Sequence, residues 1–407
     1  MTYTAINIGP IVQTLELARK PRELWAASFL FSHLMKCLIK ALPKDVVIIS
    51  PTSIDDNVKY DIGLYPDRVF VTGVVKYDSL KPAIEFFAKN LNLSADYFNI
   101  MIVTGDYTKE SEAIKDLNQK LDCIELFKKA TDYNSEQSIK DLIRKKDNSK
   151  LFVEAMGSKP FPIDSLGEIA AIQLKNNPSW EKFFDDLNSN EKKRSGMAYK
   201  NFSKEDLKSY HKYICVVQAD GDNVGKTISN QGLQDGKVKK ISDALLQFGK
   251  NAKQAIEEFG GIPIYAGGDD LLFIAPVVGI NGDCILSLLE TLNDTSFGGV
   301  KNIIDPLKLK DENNNDIKAS LSFGVSISYH KYPLYEALES ARKLLFLKAK
   351  KVKGKNAVAL ELRKHSGGSF YLEYSKNNAE LKDKFNALIS ASGEAESVVS
   401  AVSHKIR

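Results

Sequence analysis

Cysteine is scarce in this chain of 407 residues: the four present, Cys37, Cys123, Cys215 and Cys284, lie far apart and make no CxxC pair. That spacing speaks against a zinc knuckle and a disulfide framework, and leaves apolar packing as the expected use of each. Long hydrophobic runs are missing as well. None approaches the roughly 18 residues that span a bilayer, and Met1-Thr2-Tyr3-Thr4 lacks the basic-then-apolar opening of a signal peptide. No membrane partner is expected, and the expected location is cytoplasmic. The five histidines include no His-Asp dipeptide and no set at metal-ligand spacing, which argues against a histidine-metal nuclease centre. Neither sign of charge prevails. With 56 basic and 52 acidic residues the net charge is +4, which neither demands nor excludes nucleic acid, since a local patch can outweigh the total.

What is present is an ordinary globular composition, 43% hydrophobic and 27% charged, over a length that suits roughly two to four domains. The opening stretch reads as a strand from Tyr3 to Ile8, a Gly9-Pro10 turn, and a helical run broken at Lys20-Pro21. A largely apolar helix from Glu23 to Leu42 and strands at Val46–Ser50, Arg68–Val75 and Phe98–Thr104 complete an α/β unit, residues 1–107. Residues 108–205 are polar and helical in pattern, and residues 206–370 form the clearest unit. There the expected order is strand Tyr213–Ala219, helix Val238–Phe259, strands Ile262–Ala266 and Leu271–Ala275, helix Asp283–Leu292, and strand Ala319–Ser328. Helix Leu334–Lys351 and strand Ala357–Leu362 follow. The core order βαββαβ is that of a ferredoxin-like unit. The fold class is therefore α/β (α+β), two α/β units that could share one ferredoxin-like fold, separated by a helical domain, with 371–407 a short tail or the start of a further helical domain.

Two motifs carry chemistry. The apolar strand Val216-Val217-Gln218-Ala219 runs into Asp220-Gly221-Asp222-Asn223, and Gly267-Gly268-Asp269-Asp270 is pinched between two apolar strands. Glycines at such a turn accept positive φ and let a backbone or phosphate come close. If the first strand neighbours the hairpin, a strand spacing of about 4.8 Å brings Asp220 beside Asp269. Clustered carboxylates need cations among them, and hard oxygen ligands suit two Mg2+ or Mn2+ ions, which can drive an in-line phosphoryl displacement. Side-chain alternation ranks Asp220 and Asp269 as the main ligands and Asp270 as support. A lysine-rich stretch around Arg342, Lys343, Lys348, Lys350, Lys351, Lys353 and Lys355 complements a helix dipole. Within it, Lys350 and Lys355, with Lys226 beyond the first motif, are candidates to grip triphosphate oxygens. Trp25 and Phe29 are expected in the core.

At these residues the chain resembles the large subunit of type III CRISPR effector complexes in its Cmr form. The signature Gly-Gly-Asp-Asp stands at Gly267–Asp270, the first metal strand matches Asp220 to Lys226, and Ser320–Ser328, Ala349-Lys350 and Lys355-Asn356 echo the late palm pattern. Ile8 to Gln13 and Leu24 to Ser28 are similar to the opening of that family's first palm. Leu64 to Phe70 is similar to its Pro-Asn-Arg-Phe segment, with Asp67 in place of asparagine, and Pro160–Ala171 to a helical stretch of its second domain. The resemblance implies metal binding by Asp220, Gly221, Asp269 and Asp270, with Asp220, Asp269 and Asp270 catalytic. It implies nucleotide contacts from Gly221, Asp222, Asn223, Gly225, Lys226, Gly267, Gly268, Lys350 and Lys355, and from Gly9 and Ser28 near the acceptor. ATP would be the substrate, cyclic oligoadenylate the product, and target RNA in a guide-RNA complex with other Cmr-type subunits the activator. Some relatives join AMP to S-adenosylmethionine instead. Many carry an HD nuclease domain; without a His-Asp pair, single-stranded DNA cleavage is not expected here. Two further readings stay open: a diguanylate-cyclase-like enzyme, against which Asp270-Leu271 stands where Glu-Phe is usual, and a catalytically silent assembly subunit.

Overall fold

The computed structural model describes residues 1–51, 62–126, 133–145, 165–188, 198–230, 232–311 and 313–378. Residues 160–164 of the second-domain stretch and 379–407 of the tail lie outside the described residues.

Strand β1 (Thr2–Gly9) is buried along nearly its whole length, because residues of both parities are covered, by α2 (Pro21–Lys40) and by α4 (Glu110–Glu125). A short α1 (Ile11–Glu16) precedes α2, which begins at Pro21, where a missing N–H costs nothing in the first turn. Then come β2 (Val47–Ser50), β3 (Arg68–Thr72), α3 (Tyr77–Leu91) and β4 (Asn99–Asp106). The sheet order is β2-β3-β1-β4, with β1 antiparallel to β3 and β4. This is a βαββαβ unit, in which α3 is a helix that sequence reasoning did not name, between the strands expected at Arg68–Val75 and Phe98–Thr104. Trp25 and Phe29 are buried and stacked on each other, ring centroids 5.0 Å apart. Helix α4, assigned by sequence to the separate helical stretch, packs on β4 and β1. It carries Cys123 exposed, a correction to the packing role expected of every cysteine.

Short helices connect the two units: α5 (Tyr133–Arg144) against α2, α6 (Leu166–Ala170), and α7 (Trp180–Asn188). Phe183, Tyr199 and Phe202 form a small apolar core of their own, and Tyr199 donates its hydroxyl to the Gly167 carbonyl at 3.2 Å.

The second unit repeats the first. It runs β5 (Tyr213–Asp222), α8 (Val224–Ile228), α9 (Lys237–Phe259), β6 (Ile262–Gly267), β7 (Asp270–Pro276), α10 (Ile285–Thr291), α11 (Gly298–Ile304) and β8 (Ser320–Tyr329). The order β8-β5-β7-β6 matches that of the first sheet, and α12 (Leu334–Leu347) leads to β9 (Ala357–Arg363), parallel to β8. Strand β10 (Ser369–Ser375) then pairs antiparallel with β9. The weakly patterned tail expected after 370 thus begins as a strand. Its signal is the alternation Phe370, Leu372, Tyr374, of which only Tyr374 is fully buried. The units are stitched together where Gly63 runs beside Tyr265 on β6 and the Ala266 N–H donates to the Gly63 carbonyl at 2.9 Å. No helix among the described residues is long and apolar enough to cross a membrane.

Candidate active site

Antiparallel pairing of β5 with β7 sets Asp220 directly opposite Asp270. Asp269 occupies the turn between β6 and β7, and its carbonyl accepts from the Gly221 N–H at 3.0 Å. A Cβ at Gly221 would lie 2.6 Å from the Asp269 Cβ and 2.7 Å from its Oδ2, so the hairpin closes on β5 only over glycine. Gly268, at φ +64°, makes the turn itself. The three acids therefore meet at one sheet end. Gly267 ends β6 and pairs with Asp270.

Lys350 lies in a 3-10 turn just beyond α12. Its Nζ is 2.7 Å from Asp220 Oδ2 and 2.8 Å from Asp222 Oδ1, and donates to the carbonyls of Asp220 and Gly221, both at 2.9 Å. Asp222, expected to contact nucleotide, is instead fully enclosed. Its Oδ2 accepts from the Ser320 hydroxyl (2.6 Å), the Ser322 hydroxyl (2.8 Å) and the Asn356 N–H (2.9 Å). These serines sit two apart on β8 and face one side, so the alternation Ser320-Leu321-Ser322-Phe323 was the available signal for them. Lys350, expected at the phosphates, is here engaged by carboxylates.

Electrostatics divide the four acids. Burial alone would raise the Asp222 carboxyl, but the Lys350 charge and the hydrogen bonds to it outweigh that, and it titrates below the ordinary range. Burial raises Asp220 despite Lys350. Burial and the nearby Asp220 charge push Asp269 up to about 7, and burial with the charges of Asp269 and Asp220 pushes Asp270 well up. Acids held together with too little positive charge are what a divalent cation relieves, and carboxylate and carbonyl oxygens are the donors Mg2+ prefers. The donor set fits. Among the described residues no group of three acidic, histidine or cysteine side chains is placed to hold a metal ion, and Mg2+ needs only one or two carboxylates beside substrate phosphates; the oxygens of Asp220, Gly221 and Asp222 converge on the Lys350 ammonium.

The remaining candidates spread around this centre. Asn223, left-handed at φ 67°, ties the end of β5 to the Lys318 carbonyl at 2.8 Å. Gly225 and Lys226 are exposed on α8. Lys355 stands in a left-handed run with Gly354 and Asn356, and burial and the Lys350 charge lower its ammonium. Gly9 and Ser28 lie instead in a cleft of about 580 Å³ between the two units, with Asp270 on its far wall. Sequence reasoning gave no role there to Gln218, Tyr265 or Arg342, which also line it, and noted Asp67 only as a substitution. Burial raises the Asp67 carboxyl and, with the charges of Asp67 and Asp270, holds the Tyr265 phenol protonated.

Residues 213–359 match the family model "Cas10/Cmr2, second palm domain", and residues 3–99 match "CRISPR-associated protein Cmr2, N-terminal". The CRISPR system Cmr subunit Cmr2 of Pyrococcus furiosus is 31% identical over 208 residues, 45% of this chain. The match spans only 22% of that relative's length. Among solved structures, the apo state of the type III-B Cmr-beta complex has a chain of similar fold, with a TM-score of 0.53 and 12% identity, over 92% of this chain and 69% of that one. The Cmr-beta complex bound to cognate target RNA gives a TM-score of 0.54 and 11% identity, over 91% and 71%.

Proposed function

We propose that this chain, which belongs to the Cas10/Cmr2 family in its Cmr form, is a metal-dependent nucleotidyltransferase that makes a nucleotide messenger in type III CRISPR defence. The observation that carries the reading is the register of β5 and β7, which joins Asp220, Asp269 and Asp270 at one sheet end beside an interdomain cleft. Asp220, the Gly221 carbonyl, Asp269 and Asp270 would hold two Mg2+ or Mn2+ ions, which when bound activate a hydroxyl and neutralise a departing pyrophosphate. In the transfer, an acceptor hydroxyl oxygen bonds to the α-phosphorus of ATP as the bond from that phosphorus to pyrophosphate breaks, and the hydroxyl proton passes to solvent. Lys355, whose charge reaches Asp220, and Lys226, whose charge reaches Lys355, would supply positive charge for the triphosphate. With ATP as acceptor, repeated transfers and a last one in which the chain's own terminal hydroxyl attacks its 5′ α-phosphorus give cyclic oligoadenylate, one pyrophosphate leaving at each step. The partners in this reading are other Cmr-type subunits and the guide and target RNA of the complex, in the cytoplasm.

A second reading of the acceptor has its own support. The cleft wall carries Glu16, Asp67, Asp96, Glu125 and Asp270 against Arg342. Glu125 is paired with Arg68 at 3.1 Å, and burial raises Asp67 and Asp270. An arriving cation, such as the sulfonium of S-adenosylmethionine, would therefore be stabilised by Glu16 and Asp96 and would favour ionisation of Asp67 and Asp270, its ribose hydroxyl then receiving AMP. Mass spectrometry of products from ATP, with and without S-adenosylmethionine, in the complex bound to target RNA, separates the two. Consumption of GTP alone would favour the diguanylate-cyclase-like reading, and consumption of no nucleotide the silent assembly subunit.

A further inference from the structure

We propose that Lys350 is a positioning residue that competes with divalent metal for Asp220 and the Gly221 carbonyl, so that metal enters the site efficiently only together with nucleotide. The inference rests on the metal-dependent reading above and concerns how that site is regulated. Four oxygens surround the ammonium at 2.7–2.9 Å: Asp220 Oδ2, the carbonyls of Asp220 and Gly221, and Asp222 Oδ1. That is the spacing of charge-assisted hydrogen bonds, whereas Mg2+ draws its oxygens to about 2.0–2.1 Å. Asp220 and the Gly221 carbonyl cannot serve both cations at once.

The four oxygens are not equally free. The second oxygen of Asp222 is fixed by Ser320, Ser322 and the Asn356 N–H, and the residue is fully buried. Asp222 is thus a pivot, and Asp220 is the partner that Lys350 gives up. Metal arriving alone must strip two acceptors from a largely buried ammonium and offers none in return. Metal arriving with a triphosphate brings phosphate oxygens that replace them. Sites coupled in this way show reciprocal affinities.

The test titrates Mn2+ into the full chain, with free Mn2+ read by electron paramagnetic resonance, alone and with a non-hydrolysable ATP analogue. In the unaltered chain the analogue should tighten Mn2+ binding by roughly tenfold or more, within the range of coupled sites. Lys350→Met should bind Mn2+ alone roughly tenfold more tightly than the unaltered chain and gain little from the analogue. Equal or weaker Mn2+ binding by Lys350→Met overturns the proposal. Should that variant fail to fold, amine labelling of the unaltered chain decides, read at Lys350 by mass spectrometry. Saturating Mn2+ without nucleotide should expose Lys350 to the reagent, and labelling that Mn2+ leaves unchanged overturns the proposal. If the unaltered chain binds no Mn2+ even with the analogue, the metal-dependent reading falls and takes the proposal with it; a failure at Lys350 alone leaves that reading standing.

Discussion

The two ferredoxin-like units place different charges at matching points of one scaffold, reversed in sign where Arg68 of one answers Asp270 of the other. In the first, the Ile8 N–H donates to the Asp67 carbonyl at 3.1 Å and Asn7 faces Arg68; in the second, the Gly221 N–H donates to the Asp269 carbonyl at 3.0 Å and Asp220 faces Asp270. Asp67 is therefore the counterpart of Asp269, and the Asn7–Arg68 pair that of Asp220–Asp270. The helix after the fourth strand mirrors the exchange. Arg68 binds Asn118, Asp122 and Glu125 of α4 at 2.8, 2.6 and 3.1 Å, whereas Asp220 meets Lys350 just past α12. The first unit meets the Arg68 charge with acids of its own helix α4, although burial raises Asp67. The second keeps Asp269 and Asp270 short of positive partners, at the cost of raised carboxyl pKa values. One backbone thus serves as a wall of the cleft in one copy and as the acid cluster in the other, and the choice turns on a few residues at two strand ends.

The severest way to break this contrast is to remove the acids from the second unit only. Asp269→Ala with Asp270→Ala should lower product formation by about three decades or more, as expected when several kcal/mol of cation-dependent stabilisation is lost. The far-ultraviolet circular dichroism should be unchanged, and measurable turnover would move the centre elsewhere. A change in the first unit alone should redirect the reaction without stopping it. Asp67→Asn should lower use of S-adenosylmethionine relative to ATP as acceptor by roughly tenfold, the effect of about one charge interaction, read as a product ratio by mass spectrometry. An unchanged ratio would separate Asp67 from acceptor choice.

pH tests the asymmetry next. Asp269 titrates at about 7 in the fold and near the ordinary carboxylate value of about 3.9 when unfolded. Its contribution to stability is fully present below the unfolded value and is lost as pH rises through about 7, because only the folded chain then keeps the proton. Without divalent metal, Asp269→Asn should raise Tm by a few degrees at about pH 8 and by less at about pH 5, and an equal effect at both would contradict the raised carboxyl. The smallest effect belongs to Asn7, fully buried with both amide atoms lacking a hydrogen-bond partner among the described residues. Asn7→Val should be neutral or stabilising by about 1 kcal/mol in denaturant melts, since it removes a desolvated amide. The same change at Asp220 should abolish activity.

Much of this was open to reading before folding. The βαββαβ order followed from period-two apolar strands alternating with period-3.6 helices, and the Gly-Gly-Asp-Asp turn announced itself because two glycines between apolar strands have few other uses. Strand alternation also predicts that Asp220 and Asp222 share a face, but the serine and backbone partners of Asp222 were not legible, because they come from 98 and more positions away. Asp67 stood out only as a substitution, since its place beside the same cleft as Asp270 is invisible along the chain. β10 escaped because its alternation buries little.

Local pattern and glycine placement dictate which acids reach a strand end, since backbone geometry acts over a few residues. Which cation each acid meets is a matter of packing alone. Lys350 lies 130 positions beyond Asp220, and a partly buried carboxylate takes its charge state from whatever the fold brings within a few ångströms.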